Sequence, residues 1–450
     1  MADAVHQPSP SFVSSSPRPS FAEAFRFWLK LGFINFGGPA GQIAIMSHEL
    51  MDRRRWIDEK SFLAGLSFAN LLPGPEATQL AIYVGLRLHG LRGALAAGVL
   101  FVLPGAVVLW LLAWGAAAYG AVPSVAALFW GMSAVVIAVI FGAGWRLGQR
   151  VLRRPASIAI AAATLLAFHL SDLTNGTVGN IPFPWIVGGA LLIGAIAGFL
   201  GHRPFQSGMA HGSSAGDALP PLNAAAEARR LTVLAIVFAV LWVVPVVAIV
   251  AAIDRAPYED IARLFTKAAF ITFGGAYAVL PYIADAAVNT YHWLSPADMV
   301  RGLALAETTP GPLILVTQFV GFFAGWNQPG ALSPALAGLL GASLTTWVTF
   351  LPCFLFILAG APYIERLARL TWTAEALAAL TAAVVGAILS LGITLGLAVL
   401  WPAARGHMLD PWALAVTLAA LIALTRFRIN ILWLVLAGGA VGLIRLASGL

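Results

Sequence analysis

A segment of this chain is written twice. Phe33 to Gly38 read FINFGG and Phe270 to Gly275 read FITFGG, an offset of 237 residues. At the same offset Trp56 falls on Trp293, Gly65 on Gly302, and Pro73-Gly74-Pro75 on Pro310-Gly311-Pro312. The register holds without a gap over more than forty residues. Each copy is mostly apolar, broken once at Gly-Gly and again at Pro-Gly-Pro. Hydrophobic segments interrupted at corresponding positions of two halves are the sequence mark of a secondary transporter's substrate site.

Composition agrees. Hydrophobic residues make up 60% and charged residues 10%, against about 25% charged in a soluble domain. Apolar runs recur at 93–118, 122–144, 181–201, 231–253, 332–361 and 374–400, and about 20 such residues cross a bilayer. The expected class is an all-α integral membrane protein, multi-pass and surrounded by lipid. The net charge of +7 is then a matter of membrane topology and carries no nucleic-acid signal. Cys353 is the single cysteine, so no intrachain disulfide forms.

The expected organisation is a disordered tail over 1–20, a first repeat over 21–201, a cytosolic linker over 202–230, an extra span over 231–253 and a second repeat over 257–450. One extra span flips the second copy relative to the first. Arginine placement fits the flip. The first copy carries Arg53-Arg54-Arg55, Lys60, Arg87, Arg92 and the group Arg146 to Arg154, all of which can be cytosolic together. The matching stretches of the second copy, 289–298 and 325–333, have no Lys or Arg; arginines reappear one span later at Arg366 and Arg369, and then at Arg426 and Arg428. The positive-inside rule then orients the copies oppositely, with a cytosolic N-terminus. The expected fold is two inverted-topology repeats. Each has interrupted, re-entrant helical hairpins (roughly 21–50 with 60–90, and 258–289 with 299–325) followed by about four transmembrane helices. Unwound backbone at membrane depth is tolerated only where protein buries it or it lines a cavity.

The breaks hold the candidate chemistry. At Gly37-Gly38-Pro39 and Gly274-Gly275 a double glycine lets backbone N–H groups approach a ligand, and a helix starting there offers its positive end to an anion. The other reading is close helix packing. Two prolines flanking a glycine cannot sit in a regular helix, so the chain breaks at Pro73-Gly74-Pro75 and Pro310-Gly311-Pro312. Polar residues flank both breaks: Asn70, Glu76, Thr78 and Gln79 in the first copy; Glu307, Thr308, Thr309, Thr317 and Gln318 in the second. Carboxylates in hydrocarbon are expensive and default to a functional role. Glu76 and Glu307 sit at non-equivalent positions, so each is read as a proton-coupling group or a helix cap rather than an anion ligand. Arg54, with Trp56 beside it, either draws an anion to a cytosolic entrance or anchors topology. H-E-x-x-H and G-x-x-x-x-G-K-[ST] motifs are missing, and the histidines are scattered, so no enzyme, cofactor or metal site is expected.

The string FGGPAGQIAIMSHELMDRRRWIDEKSFLAGLSFANLLPGPEATQLAIYVG, with the later FITFGGAYAVLPYI and ETTPGP segments, resembles the chromate ion transporter family in its long two-domain form. The match spans nearly the whole chain. The resemblance implies an inner-membrane protein that exports chromate and confers chromate resistance, with sulfate as the competing mimic. It places functional positions in these motifs, at Gly37, Gly38, Pro39, Gln42, Arg54, Trp56, Asn70, Pro73, Gly74, Pro75, Glu76, Gln79, Gly274, Gly275, Glu307, Pro310, Gly311 and Pro312. The alternatives are a sulfate or other oxyanion permease on the same scaffold, and a membrane enzyme or receptor for a lipid. A homo-oligomer is compatible with all of them.

Overall fold

The computed structural model describes residues 19–174, 181, 183–205, 224–253, 255–273, 275–364, 371–402, 406 and 408–449. Gly274, Arg366 and Arg369 lie outside the described residues, as do most of the expected tail and linker.

The first half runs α1 (Phe21–Ile34), α2 (Gly38–Ser47), a π turn over His48–Arg53, α3 (Glu59–Leu71), α4 (Glu76–Tyr119), α5 (Pro123–Val151), α6 (Pro155–Phe168), the short α7 (Leu170–Leu173) and α8 (Phe183–Phe199). Then come α9 (Ala224–Ala252), α10 (Tyr258–Ile271), α11 (Ala276–Asp285), a π turn over Ala286–Thr290, α12 (Pro296–Thr308), a 3-10 turn Leu313–Leu315, α13 (Val316–Asn327) and α14 (Pro334–Gly360). The chain ends with α15 (Thr371–Leu400), α16 (Pro411–Arg426) and α17 (Ile431–Ala447).

The sequence repeat is a structural repeat. The bounds of α1 and α10, and of α3 and α12, differ by the same 237 residues as the motifs. Both copies follow the second short helix with a π turn. Both then place a residue in the left-handed region, Arg55 at φ 54° and His292 at φ 53°. The next strong motif residue closes the loop in both: Trp56 N–H donates to Leu50 O and Trp293 N–H to Ala287 O, each at 2.8 Å. Caps start the third helix of each copy. Asp58 accepts from Ser61 N–H at 2.8 Å, and Ser295 with Asp298 forms a reciprocal capping box.

The 44-residue α4 is not one rod. His89 (φ −138°, ψ 24°) and Gly90 (φ 60°, ψ −147°) leave helical geometry, and the arms 76–88 and 91–119 fold back on each other. A Cβ on Gly85 would stand 2.3 Å from Gly93 O, and one on Gly98 2.7 Å from Ile82 Cγ1. Residues eight apart in a straight helix would be about 12 Å apart. In the second half α13 and α14 make the same hairpin with a longer turn, where Gly341 meets Gly321 O at 2.2 Å by the same measure. Bare glycine faces let backbones come this close. Each long arm carries a proline at the same distance past its close-contact glycine, Pro104 after Gly93 and Pro352 after Gly341.

Five helices among the described residues are long and apolar enough to cross a membrane by length and composition: Glu76–Tyr119, Pro123–Val151, Ala225–Ala252, Pro334–Tyr363 and Trp372–Leu400. Their outer faces are apolar. Leu91, Leu95, Val99, Leu103, Val107 and Leu111 form an exposed stripe on α4, and α9 exposes Val233, Ile236, Val240, Val243 and Val247. Such stripes suit hydrocarbon as solvent and would be untenable in water. The interior is close-packed around Trp28, Phe101, Trp293, Phe319 and Phe322.

Candidate functional site: a crossover of four broken helices

Leu72 leaves helical geometry at the end of α3, and Pro75 caps α4 with φ −72°, ψ 106°. Between them Gly74 takes φ 122°, a region that favours glycine. Gly311 repeats this at φ 103°. The double glycines do the same between α1 and α2 (Gly37 φ 92°, Gly38 φ 69°) and before α11 (Gly275 φ 93°).

The four breaks meet. Gly74 N–H donates to Thr272 O at 2.6 Å, and Gly311 N–H donates to Asn35 O at 2.9 Å. Asn35 and Thr272 are equivalent residues, as are Gly74 and Gly311. Each half's Pro-Gly-Pro break is therefore bonded to the other half's double-glycine break. The long arms close the crossover. A Cβ on Gly105 of α4 would stand 2.0 Å from Pro310 O, and Cys353 Sγ of α14 lies 3.3 Å from where a Cβ on Gly74 would sit.

Side-chain amides tie the freed carbonyls. Gln42 Nε2 donates to Gly311 O at 2.6 Å, and Gln79 Nε2 to Pro73 O at 2.7 Å. Gln318 links α13 to α4 through Ala106 O at 2.7 Å and accepts from Thr346 Oγ1 at 3.0 Å. Thr308 and Thr309 bond back to Leu305 O at 3.0 and 2.6 Å. Five buried atoms at the crossover have no protein partner: Asn35 Nδ2 and Oδ1, Gln42 Oε1, Thr78 Oγ1 and Gln79 Oε1. An unpartnered buried polar atom costs about 1–3 kcal/mol, so their concentration here points to a place that receives polar ligands or water.

Two carboxylates flank the start of α11. Glu76 Oε1 and Oε2 stand 3.4 and 3.6 Å from where a Cβ on Gly275 would sit. Glu307, 7% exposed, accepts a hydrogen bond from Tyr277 Oη in the first turn of α11. The Arg146 guanidinium of α5 lies within electrostatic reach of that pair.

Other expected positions stay away from the crossover. Arg54 pairs with Glu49 at 3.3 Å and Glu23 at 3.6 Å, and stacks over Phe27 and Trp56 at 4.9 and 4.8 Å. Glu23 lies in the first turn of α1 and Asn35 at its end, roughly 18 Å away at 1.5 Å per residue. Asn70 is exposed on the last turn of α3, although its equivalent Glu307 is buried. Burial pushes the Glu49 carboxyl up, but hydrogen bonds and charge from Arg53 and Arg54 outweigh it and hold it below its usual range. A depressed carboxylate stabilises the fold above its unfolded pKa and loses that contribution as pH falls through the folded one. Arg54→Ala is expected to cost roughly 1–2 kcal/mol at neutral pH, read as a lower thermal midpoint in detergent, with flux per molecule retained. Lost flux at unchanged stability would return Arg54 to the translocation path.

Motif reading missed Asn35, Thr272, Tyr277, Gly105 and Arg146. The signal for the first two was present: FINFGG and FITFGG keep a polar residue at the same place within apolar surroundings.

A model of the chromate transporter family matches this chain twice, over residues 22–199 and 260–443. The chromate transport protein of Pseudomonas aeruginosa is 32% identical over 352 residues, 76% of this chain and 73% of that protein. The chromate transport protein of Cupriavidus metallidurans is 28% identical over 84% of this chain and 82% of its own length. The probable chromate transport protein of Synechococcus elongatus is 28% identical over 85% and 88%. No solved structure matches. With helices apolar enough to span a bilayer and a family model covering both halves, this multi-pass membrane protein belongs to the chromate transporter family, a family of transporters and not of enzymes.

Proposed function

We propose that this protein is a secondary carrier that exports chromate across the cytoplasmic membrane and so confers chromate resistance, with the crossover as its substrate site. The reciprocal bonding of the four breaks is the observation that carries this reading: it gathers unwound backbone and unpartnered polar groups at one point, as alternating-access carriers do. The site comprises the break residues around Gly37, Gly38, Pro39, Gln42, Pro73 to Gln79, Gly275 and Glu307 to Pro312. Sulfate, a tetrahedral anion of similar size, is the reference competitor.

In this reading the repeats are inverted and the broken helix pairs are re-entrant. Contacts at the helix ends support it. The start of α1, the turn of α4 and the start of α3 lie together: His89 Nε2 bonds Pro19 O at 2.9 Å and Arg87 bonds Ser61 Oγ at 3.2 Å. The corresponding parts of the second half lie together through Tyr258 Oη to Ala337 O at 3.3 Å and Asn327 to Trp293 O at 2.7 Å. The arm 91–119, about 43 Å long, leads from the first group to the second, ending where Gly120 meets Arg301 of α12. The first group is rich in arginine, which sets it on the cytosolic side with the N-terminus. An inside-negative potential then favours anion export by about 2.3 kcal/mol per charge per 100 mV.

Two measurements test this. Chromate flux into inverted vesicles should saturate and respond to membrane potential; uptake driven only in the opposite direction would make the protein an importer. In a Cys353→Ala background, a cysteine at Arg55 should react with an impermeant thiol reagent only from the cytosol, and one at His292 only from outside. Labelling of both from one side would sink the inverted arrangement.

A further inference from the structure

We propose that Arg146 of α5 is a direct ligand of the transported oxyanion on the cytosolic side of the crossover, and that Arg150, one turn further out, steers the anion to it. This rests on the transport reading above and adds the side chain that first receives the substrate.

Depth along α5 follows from its neighbours. Gly105 of α4 abuts Pro310 at the crossover, and α4 runs on from there to Gly120, where the chain turns into α5. That length is about 22 Å, and the same length back along α5 from Pro123 reaches the level of Val136 to Val139. Arg301 of α12 stacks over Phe129 at 5.7 Å. From that level α12 climbs about 9 Å to Glu307, which again meets α5 near Val136. Arg146 therefore stands roughly 12 Å beyond the crossover, toward the arginine-rich end of α5.

Met132, Val136, Val139, Ala143, Arg146 and Arg150 recur at spacings of three and four, so they share one stripe of α5. One step earlier the stripe holds Phe129, under Arg301, so it faces α12 and the crossover beyond. Met132, Val136 and Val139 are buried, Ala143 is half-buried, and Arg146 and Arg150 are exposed. Packing on this stripe thus ends at the depth of the crossover, and an open space lined by two cations begins. Other faces of α5 stay packed at that level. Leu389 Cδ2 and Val385 Cγ1 of α15 lie 3.4 and 3.6 Å from where Cβ atoms on Gly144 and Gly148 would sit, and Leu424 Cδ1 of α16 lies 3.8 Å from the same point on Gly142.

Arg146 has its donors to spare. Arg54, Arg230, Arg301 and Arg445 are each paired with a carboxylate. Among the described residues no ion pair or hydrogen bond engages Arg146 or Arg150. Long helical side chains lean toward the helix N-terminus, which for Arg146 is toward the crossover, and its charge is felt by Glu307 and Tyr277 there. A cation that only marked the cytosolic end would turn outward to headgroups and water. An unpaired charge at membrane depth that turns inward belongs on a water-filled path. Its guanidinium offers two parallel N–H donors to a tetrahedral oxyanion, where an ammonium offers a point charge. The attraction grows with the ligand's charge, so it suits a dianion.

The test pairs labelled-chromate binding to the purified protein in detergent with initial-rate flux into inverted vesicles, which present the cytosolic face. Arg146→Gln should raise the KM and the dissociation constant together by about 10- to 100-fold, the range for losing hydrogen bonds to a charged group. Arg146→Lys should recover part of that loss, because it keeps the charge and loses the fork. Arg150→Gln should raise the KM only a few-fold, and only at low ionic strength. That difference should vanish near 1 M chloride, where the screening length is about 3 Å. Arg426→Gln, at the same end of the molecule but on α16, should leave both constants unchanged. Wild-type binding and KM from Arg146→Gln, lysine no better than glutamine, or an equal effect from Arg426→Gln would each overturn the assignment and leave the transport reading standing. Absence of saturable binding and flux in the wild type would overturn the transport reading, and this assignment with it.

Discussion

Replacing Gly74 or Gly311 with leucine is expected to reduce chromate flux to that of empty vesicles while the protein still reaches the membrane. Both residues hold φ values, 122° and 103°, that L side chains rarely adopt; such strain costs of order 1–3 kcal/mol. Both also lack space. A Cβ on Gly74 would stand 2.8 Å from Gln79 Nε2, and one on Gly311 3.0 Å from Leu315 Cδ1. The larger loss comes from the bonds that pass through them. Gly74 N–H and Gly311 N–H are backbone donors that join the halves at the crossover. Moving either backbone separates a Pro-Gly-Pro break from its partner and misplaces Gln42 or Gln79, whose amides are anchored on the Gly311 and Pro73 carbonyls. Gly105→Ala is the milder companion: its Cβ would meet Pro310 O at 2.0 Å, so α4 must shift away from the second break. Flux should be measured per inserted molecule beside a glycine far from the breaks, such as Gly115, whose Cβ would meet nothing within 4 Å. Normal flux from Gly74→Leu and Gly311→Leu would reduce the breaks to packing devices.

The sequence announced the breaks because prolines flanking glycine have few alternatives, and the duplication fixed which residues correspond. It also announced apolar spans by composition. The reciprocal pairing of the breaks was not legible, since no local pattern states that Asn35 O will meet Gly311 N–H 276 residues away. The fold-back inside α4 was hidden because Arg87-Leu88-His89-Gly90 is compatible with a helix; only the glycines at 85, 90 and 93 hinted at a close turn. Motif resemblance pointed to Arg54 and Trp56 as strongly as to Gln42. The structure separates them physically: Arg54 spends its charge on Glu23 and Glu49 at one end of α1, and Gln42 sits at the other. Tyr277 was missed for a related reason. Its partner Glu307 lies on a different helix, and a tyrosine in an apolar stretch reads as packing until its hydroxyl is seen to bond a buried carboxylate.

Glu307→Gln is expected to cut net chromate flux by at least about tenfold, equivalent to about 1.4 kcal/mol, while exchange of labelled for unlabelled chromate continues. Glu307 is buried at the crossover, bonded by Tyr277, and faces the positive charge of Arg146. A carboxyl there that gains and loses a proton during the cycle would alternately hold and release Tyr277 at the start of α11, and so link the proton to the position of a helix that borders the site. Glutamine keeps the shape and can still pair with the tyrosine, but it cannot titrate. Exchange needs only binding and reorientation with substrate, whereas net transport needs the return step, in which the proton acts. Glu76→Gln is expected to leave binding unchanged or slightly tighter, because it removes a negative charge from the proposed site. Tyr277→Phe separates the hydrogen bond from the charge: Glu307 still titrates, but loses a bond to a charged group worth about 1.5–3 kcal/mol, so the pH dependence should shift rather than vanish. The measurement is maximal flux against pH at saturating chromate, where the substrate's own protonation no longer sets the rate. Under that condition the wild-type curve should bend and the Glu307→Gln curve should be flat. Curves of the same shape for wild type, Glu76→Gln and Glu307→Gln would remove the proton from the mechanism and leave the membrane potential acting on the anion as the driving force.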